Sequence, residues 1–178
     1  MTLGEDAKSR RPRRWVLYLA VVLALCAGAP VAVAGTWAAV KTYQAGKGEP
    51  TPVAAVDVFM LAMSSGDELG IGGALAPQRY DELLDEWRSI RRDIERTEPA
   101  VSKVAAEDFE VDNQDDDRAQ VVTQVHGVWF PTDGSGLFIH GTPHPWRFQV
   151  RRDAGGWRVW SVDAYPWCGG HVRADACR

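Results

Sequence analysis

The polar and apolar positions of this chain fall into four stretches of different period. From Trp15 to Val40 there is no formally charged residue, and Leu, Val and Ala dominate. At about 1.5 Å per residue a helix over this run reaches roughly 39 Å, more than the hydrocarbon core of about 30 Å, so it predicts a transmembrane helix. Residues 41–50, with Gly46, Gly48 and Pro50, read as a linker. Thr51-Pro52 then provides a helix start, with Thr as cap and Pro in the first turn. Val53, Val56, Phe59, Met60 and Met63 follow on one face, and Ser64-Ser65-Gly66 ends the run. A second helical stretch over Pro77–Glu98 carries the stripe Tyr80, Leu83, Leu84, Trp87, Ile90 and Ile94, with charged residues on its other face. Pro99 stops it. Between these helices Gly70-Ile71-Gly72-Gly73 reads as a turn, because neither a preceding strand nor a Lys-Ser/Thr signature makes it a phosphate cradle.

From Val101 the period becomes two. Phe109 and Val111 mark one strand; Ala119, Val121, Thr123, Val125 and Trp129 mark the next; Asp112–Asp117 lies between them as a turn. Trp146, Phe148 and Val150 alternate with Arg147, Gln149 and Arg151, and Asp153-Ala154-Gly155-Gly156 turns the chain into Trp157, Val159 and Ser161. Helices first and antiparallel strands afterwards predict an α+β domain over 51–178, with helices packed on a curved antiparallel sheet.

Charge sets the topology. Residues 1–14 hold five basic and two acidic side chains, whereas the chain from Lys41 onward holds 15 basic and 22 acidic ones. The basic tail before the apolar run places residues 1–14 in the cytoplasm and the domain outside, in the arrangement of a single-pass cell-membrane protein. The acidic balance of the domain argues against nucleic acid as a partner. A cleavable signal peptide is the alternative, since Ala32-Val33-Ala34 before Gly35 has the small-x-small pattern of a cleavage site. Arg10-Arg11 is a poor twin-arginine signal because Arg13 and Arg14 stand where apolar residues are preferred. Cys26 follows Leu25 where a lipobox wants a small residue, so it reads as a plain buried thiol. Export gives Cys168 and Cys177 a meaning as a disulfide closing the C-terminal loop. A zinc site there, with His171 between the cysteines, lacks further ligands.

The closing segment Trp146-Arg147-Phe148-Gln149-Val150-Arg151-Arg152-Asp153-Ala154-Gly155-Gly156-Trp157-Arg158-Val159-Trp160, placed after two helices, resembles the last hairpin of the nuclear transport factor 2-like superfamily. The resemblance spans about 51–167 and implies the cone fold rather than any one activity. On a single membrane anchor, such a domain resembles membrane subunits of type IV secretion and Gram-positive conjugation machines of actinobacterial type. Usage of 16 Arg against four Lys agrees with such a genome. The tether, the cone fold and the absence of a catalytic set lead to the expectation of a non-enzymatic extracytoplasmic interaction module, with the membrane and other membrane or envelope proteins, or a second copy of itself, as partners.

The rival reading is an exported small-ligand-binding protein or enzyme using the cone pocket, with Asp57, His126 and Asp163 as the candidate polar groups. Asp57 lies off the apolar face of its helix, His126 shares a strand face with Gln124 and Val128, and Asp163 precedes the turn at Pro166. His140 and His144, with His126, are a second candidate metal set, but they flank a Gly-Pro loop whose direction spacing does not give. No nucleophile motif is present, so neither a catalytic set, a resident metal nor a cofactor is expected. Trp87, Trp129, Trp146 and Trp157 fall on apolar stripes; Trp160 and Trp167 are the expected surface tryptophans. For the topology, a reporter active only outside the cytoplasm and fused after Arg178 should be active, and the uncleaved chain should stay in alkali-washed membranes. A mature chain beginning at Gly35 would mean a signal peptide.

Overall fold

The computed structural model describes residues 47–130, 138–153 and 155–178. Two compact units divide the chain, 1–42 and 43–178. The first lies outside the described residues, and with it Trp15–Val40, Cys26 and the Ala34 cleavage pattern. Among the described residues no helix is long and apolar enough to cross a membrane.

Helix α1 (Pro52–Ser65) begins as expected: the Ala54 N–H donates to Thr51 Oγ1 at 3.1 Å, and Pro52 fills a first-turn position that needs no N–H. It ends at Gly66, whose φ of 72° puts the chain in the left-handed region while its N–H closes on the Ala62 carbonyl. After a single turn, α2 (Glu68–Ile71), and a 3-10 turn over Pro77–Arg79, helix α3 (Tyr80–Glu95) presents Leu83, Leu84, Trp87 and Ile94 to the interior. The second helical stretch is therefore shorter at both ends than its pattern predicts. Pro99 disfavours helical backbone at Glu98, and Thr97 turns its hydroxyl back onto the Ile94 carbonyl at 2.9 Å.

Strands β1 (Lys103–Gln114), β2 (Arg118–Trp129), β3 (Ile139–His140), β4 (His144–Asp153) and β5 (Gly156–Asp163) form one antiparallel sheet. Its order is β1-β2-β4-β5, with β3 beside β2. The β1–β2 turn is tighter than predicted, because the strands run on to Gln114 and resume at Arg118 with the Asp115 N–H on the Arg118 carbonyl at 2.7 Å. Register shifts between Glu107 and Glu110, between Val111 and Asn113, and between Gln149 and Val150 bend the sheet. The end of the linker is zipped to β5: Glu49 and Trp157 exchange two backbone hydrogen bonds of 2.9 and 2.7 Å. Residues 74–76 run parallel to β5 on the same side of the fold, through Val159 N–H to Ala74 O and Ala76 N–H to Val159 O.

Helices packed on a curved antiparallel sheet is the architecture the sequence implies. The core lies where α1 meets the concave face: Val56, Phe59 and Met63 against Val121, Val125, Trp146, Phe148 and Val150, all 0–1% exposed. Phe59 meets Phe148 edge to face at 5.4 Å. Truncation of Phe59 to Ala should lower unfolding stability by about 3–5 kcal/mol, as large-to-small core changes do. Leu61→Ala, at a position 67% exposed, should stay within about 0.5 kcal/mol in the same urea titration.

Candidate functional site

Alternation along β4 sends His144, Trp146, Phe148 and Val150 to the concave face, opposite Val125, Thr123, Val121 and Ala119 of β2. Phe148 and Val150 lie under α1. The other end of this row, the mouth of the cone, is covered by the segment after β5. That segment turns at Pro166–Val172, where the His171 N–H donates to the Pro166 carbonyl at 3.0 Å and Gly169 takes a φ of 79°. Cys168 and Cys177 form the expected disulfide, with α-carbons 5.9 Å apart. Beyond it the chain is tied to the end of α3 by Glu98 N–H to Ala176 O, Arg178 N–H to Arg96 O, and an ion pair between Arg178 and Glu98.

Two side chains of this segment enter the mouth. Trp167 is 2% exposed and His171 6% exposed, with ring centres 4.7 Å apart. The Trp146 indole N–H donates to His171 Nε2 at 2.7 Å. In the neutral ring the proton therefore sits on Nδ1. That N–H has no hydrogen-bond partner, and neither does the indole N–H of Trp167. His144 lies edge-on to His171 at 4.9 Å and stacks on Tyr165 at 4.1 Å with the planes 2° apart. Burial, first, and the nearby imidazoles of His144 and His126, second, push the His171 pKa down to about 4. The Thr142 backbone opposes this weakly, without a donor–acceptor pair of hydrogen-bond geometry at Nδ1. His171 is thus an uncharged donor at neutral pH.

The residues singled out from the sequence are spread apart. Asp57 is exposed on α1, and Asp163 is exposed at the end of β5 opposite Arg147. His126 is 3% exposed but faces away from Val125, with Nε2 3.1 Å from His140 Nδ1 and 3.9 Å from a Glu107 carboxylate oxygen. The loop histidines separate: His140 meets His126, while His144 turns to the mouth. Among the described residues no three His, Cys, Asp or Glu side chains are arranged to hold a metal. Trp167, expected at the surface, is buried because it packs beside His171. Trp160 is half-buried with the Arg151 guanidinium 3.6 Å above its ring. Open clefts of about 390, 260 and 550 Å³ lie elsewhere, the largest along Pro50–Val53 and the β1–β2 turn, and Asp57, His126 and Asp163 line none of the three. The mouth was missed because His171 and Trp167 belong to no periodic run; the row His144-x-Trp146-x-Phe148 was its one visible sign.

No known sequence family matches the chain, and no curated relative does. Solved structures with a related fold include a ketosteroid isomerase-like protein from Erwinia carotovora atroseptica, 21% identical over 62% of this chain and 89% of that one, with a TM-score of 0.44. A proposed dehydratase of the NTF2-like family from Streptomyces avermitilis is 18% identical over 69% of this chain and 94% of that one, with a TM-score of 0.43. A proposed polyketide cyclase from Xanthomonas campestris pv. campestris is 16% identical over 68% and 96%, with a TM-score of 0.38. These neighbours bear the names of an isomerase-like protein, a dehydratase and a cyclase, whereas the sequence led to the expectation of a non-enzymatic domain.

The buried imidazole has a pH consequence. The unfolded chain takes up a proton at His171 below about pH 6.5, while the folded chain resists until about 4. The stabilisation is complete above the upper value and is lost as pH falls through this window. Urea midpoints should decline from pH 6.5 to 4, and His171→Leu should flatten that decline. The variant also leaves the Trp146 N–H without an acceptor, at a cost of about 1–3 kcal/mol at neutral pH. An unchanged slope in His171→Leu would mean that other groups govern it.

Proposed function

We propose that residues 47–178 form a small-ligand-binding domain with an enzyme-like site at the mouth of the cone. The observation that carries this reading is the buried, neutral imidazole of His171, with one ring N–H left over after Trp146 has used the other nitrogen. Unpaired buried donors cost about 1–3 kcal/mol each and are few in folded proteins, so a ligand oxygen is a fitting partner for this one. Trp167 offers a second leftover N–H one ring away. Because the His171 ring is uncharged at neutral pH, it suits polarising a carbonyl or receiving a developing oxyanion without first losing a proton. The stacked pair His144 and Tyr165 and the indoles of Trp146 and Trp167 favour a flat, apolar ligand body.

We further infer that the apolar run Trp15–Val40 carries this domain across a membrane, as the basic residues before it support. An assembly role in conjugation or secretion gains nothing from the features of the domain.

The site reading is tested by titrating ¹⁵N-labelled protein with acetophenone and with ethylbenzene, which keeps the ring and lacks the oxygen. Acetophenone should shift the ring N–H signals of His171 and Trp167, and ethylbenzene should leave them in place. Equal responses to both compounds, or none to acetophenone at millimolar concentration, would remove the site.

A further inference from the structure

We propose that His144 selects the ligand of the mouth: its unengaged ring nitrogen accepts a hydrogen bond, so the domain takes flat, neutral carbonyl compounds that carry an N–H or O–H beside the carbonyl, such as primary aromatic amides and α-hydroxy ketones. This deepens the reading of the mouth as a ligand site and rests on it.

Three observations carry the inference. His144 belongs to the mouth: alternation along β4 puts it on the concave face with Trp146, and its ring stands edge-on to His171 with centres 4.9 Å apart. Its polar atoms are unengaged. The ring is held by aromatic contacts, stacked on Tyr165 and set against His171, and neither nitrogen has a hydrogen-bond partner among the described residues. A neutral imidazole presents one N–H and one lone pair whichever tautomer it adopts. Because the stack on Tyr165 fixes the ring plane, that lone pair has little freedom left to lose when a ligand meets it. The stacked pair is also the solvent side of the mouth. His144 is half-buried and Tyr165 is 40% exposed, whereas Trp167 is 2% and His171 6% exposed, so a ligand oxygen on His171 has the His144 ring beside it.

The polar atoms left over in the mouth specify a complement. The His171 Nδ1–H and the Trp167 indole N–H are donors without partners, and a carbonyl oxygen has two lone pairs to give them. His144 adds an acceptor one ring from His171. A ketone answers the donors and leaves the acceptor unmatched; a primary amide answers both with atoms bonded to one carbon. A carboxylate answers the donors, but it has no N–H or O–H and it brings a charge. None of His144, Trp146, Tyr165, Trp167 and His171 is a lysine or arginine, and the His171 ring is uncharged at neutral pH, so a carboxylate buried among them would lack a counter-ion.

Benzamide, acetophenone and benzoate test this, because they share the ring and differ in what the carbonyl carbon carries: an amino group, a methyl group or an ionised oxygen. Each is titrated into the ¹⁵N-labelled full chain at neutral pH. Benzamide should bind more tightly than acetophenone on the order of fivefold, the worth of one added neutral hydrogen bond, and benzoate should bind most weakly. Benzamide should move the acceptor-nitrogen signal of His144 together with the ring N–H signals of His171 and Trp167, whereas acetophenone should move only the latter two. His144→Phe keeps a ring for Tyr165 to stack on and removes both nitrogens, so in that variant the preference for benzamide should vanish. Should the variant fail to fold, the His144 signals of the native chain decide. If acetophenone shifts His171 and Trp167 but benzamide binds no more tightly, or if the benzamide preference survives in His144→Phe, selection by His144 is overturned and the ligand site stands. Tightest binding by benzoate would overturn it too. If none of the three compounds moves the His171 or Trp167 signals, the ligand site itself is removed, and the selection with it.

Discussion

A curved antiparallel sheet has a concave face that one helix of 14 residues cannot cover, and the rest of this domain answers to that constraint. The apolar row of β4 is longer than α1 can roof. At the Phe148 and Val150 end the helix supplies Phe59 and its neighbours. At the other end the row continues through Trp146, which is fully buried and whose indole N–H needs an acceptor, to the partly buried His144. The C-terminal segment meets that need. Its two buried side chains are themselves heteroaromatic, and one of them accepts the Trp146 N–H. The chemistry of the site follows from a packing problem.

The covering also explains the protonation state of the mouth. A histidine brought in to accept an indole N–H must keep its acceptor nitrogen free of a proton, so the hydrogen bond, the burial and the neighbouring imidazoles all favour the neutral ring. Elsewhere the charges behave as a solvated surface does. Arg88 of α3 pairs with Glu68 and Asp85, and Arg91 pairs with Glu95 while donating to the Met63 carbonyl at the end of α1. These exposed pairs contribute little each: Arg88–Asp85 and Arg91–Glu95 lie within α3, Arg88–Glu68 ties it to α2, and the Arg91–Met63 bond is the one that reaches α1.

Much of the fold was legible in the sequence because the relevant signals are local. Thr51-Pro52 makes a cap wherever it starts a helix, and Trp-x-Phe-x-Val makes a half-buried strand against any apolar partner. What was not legible depends on residues distant in the chain. The alternation on β2 fails at His126 and Val128, both buried on the face away from Val125, where His140 of β3 pairs with Val128 and sets its ring against His126. Arg158, outward by alternation, is 5% exposed because residues 73–75 run beside it and their carbonyls take its guanidinium. Trp167 was read as a surface residue because it falls on no apolar stripe, whereas its burial depends on a histidine four positions on and a sheet twenty residues before. The candidate site is built from such distant pairings, so no period announced it.

The edges of the sheet differ in a way that bears on self-association. On one side, residues 49 and 74–76 occupy backbone positions beside β5, so that margin is already taken. Among the described residues β1 pairs only with β2, which leaves its outer margin as the one at which another chain could add a strand. That strand is interrupted twice by register shifts, takes a φ of 53° at Asp108, and exposes Glu107, Asp108, Glu110 and Asp112. A second molecule approaching there would find hydrogen-bonding groups out of line and like charges facing like. The bulges that curve the sheet into a cone thus also keep its open margin from seeding fibrils.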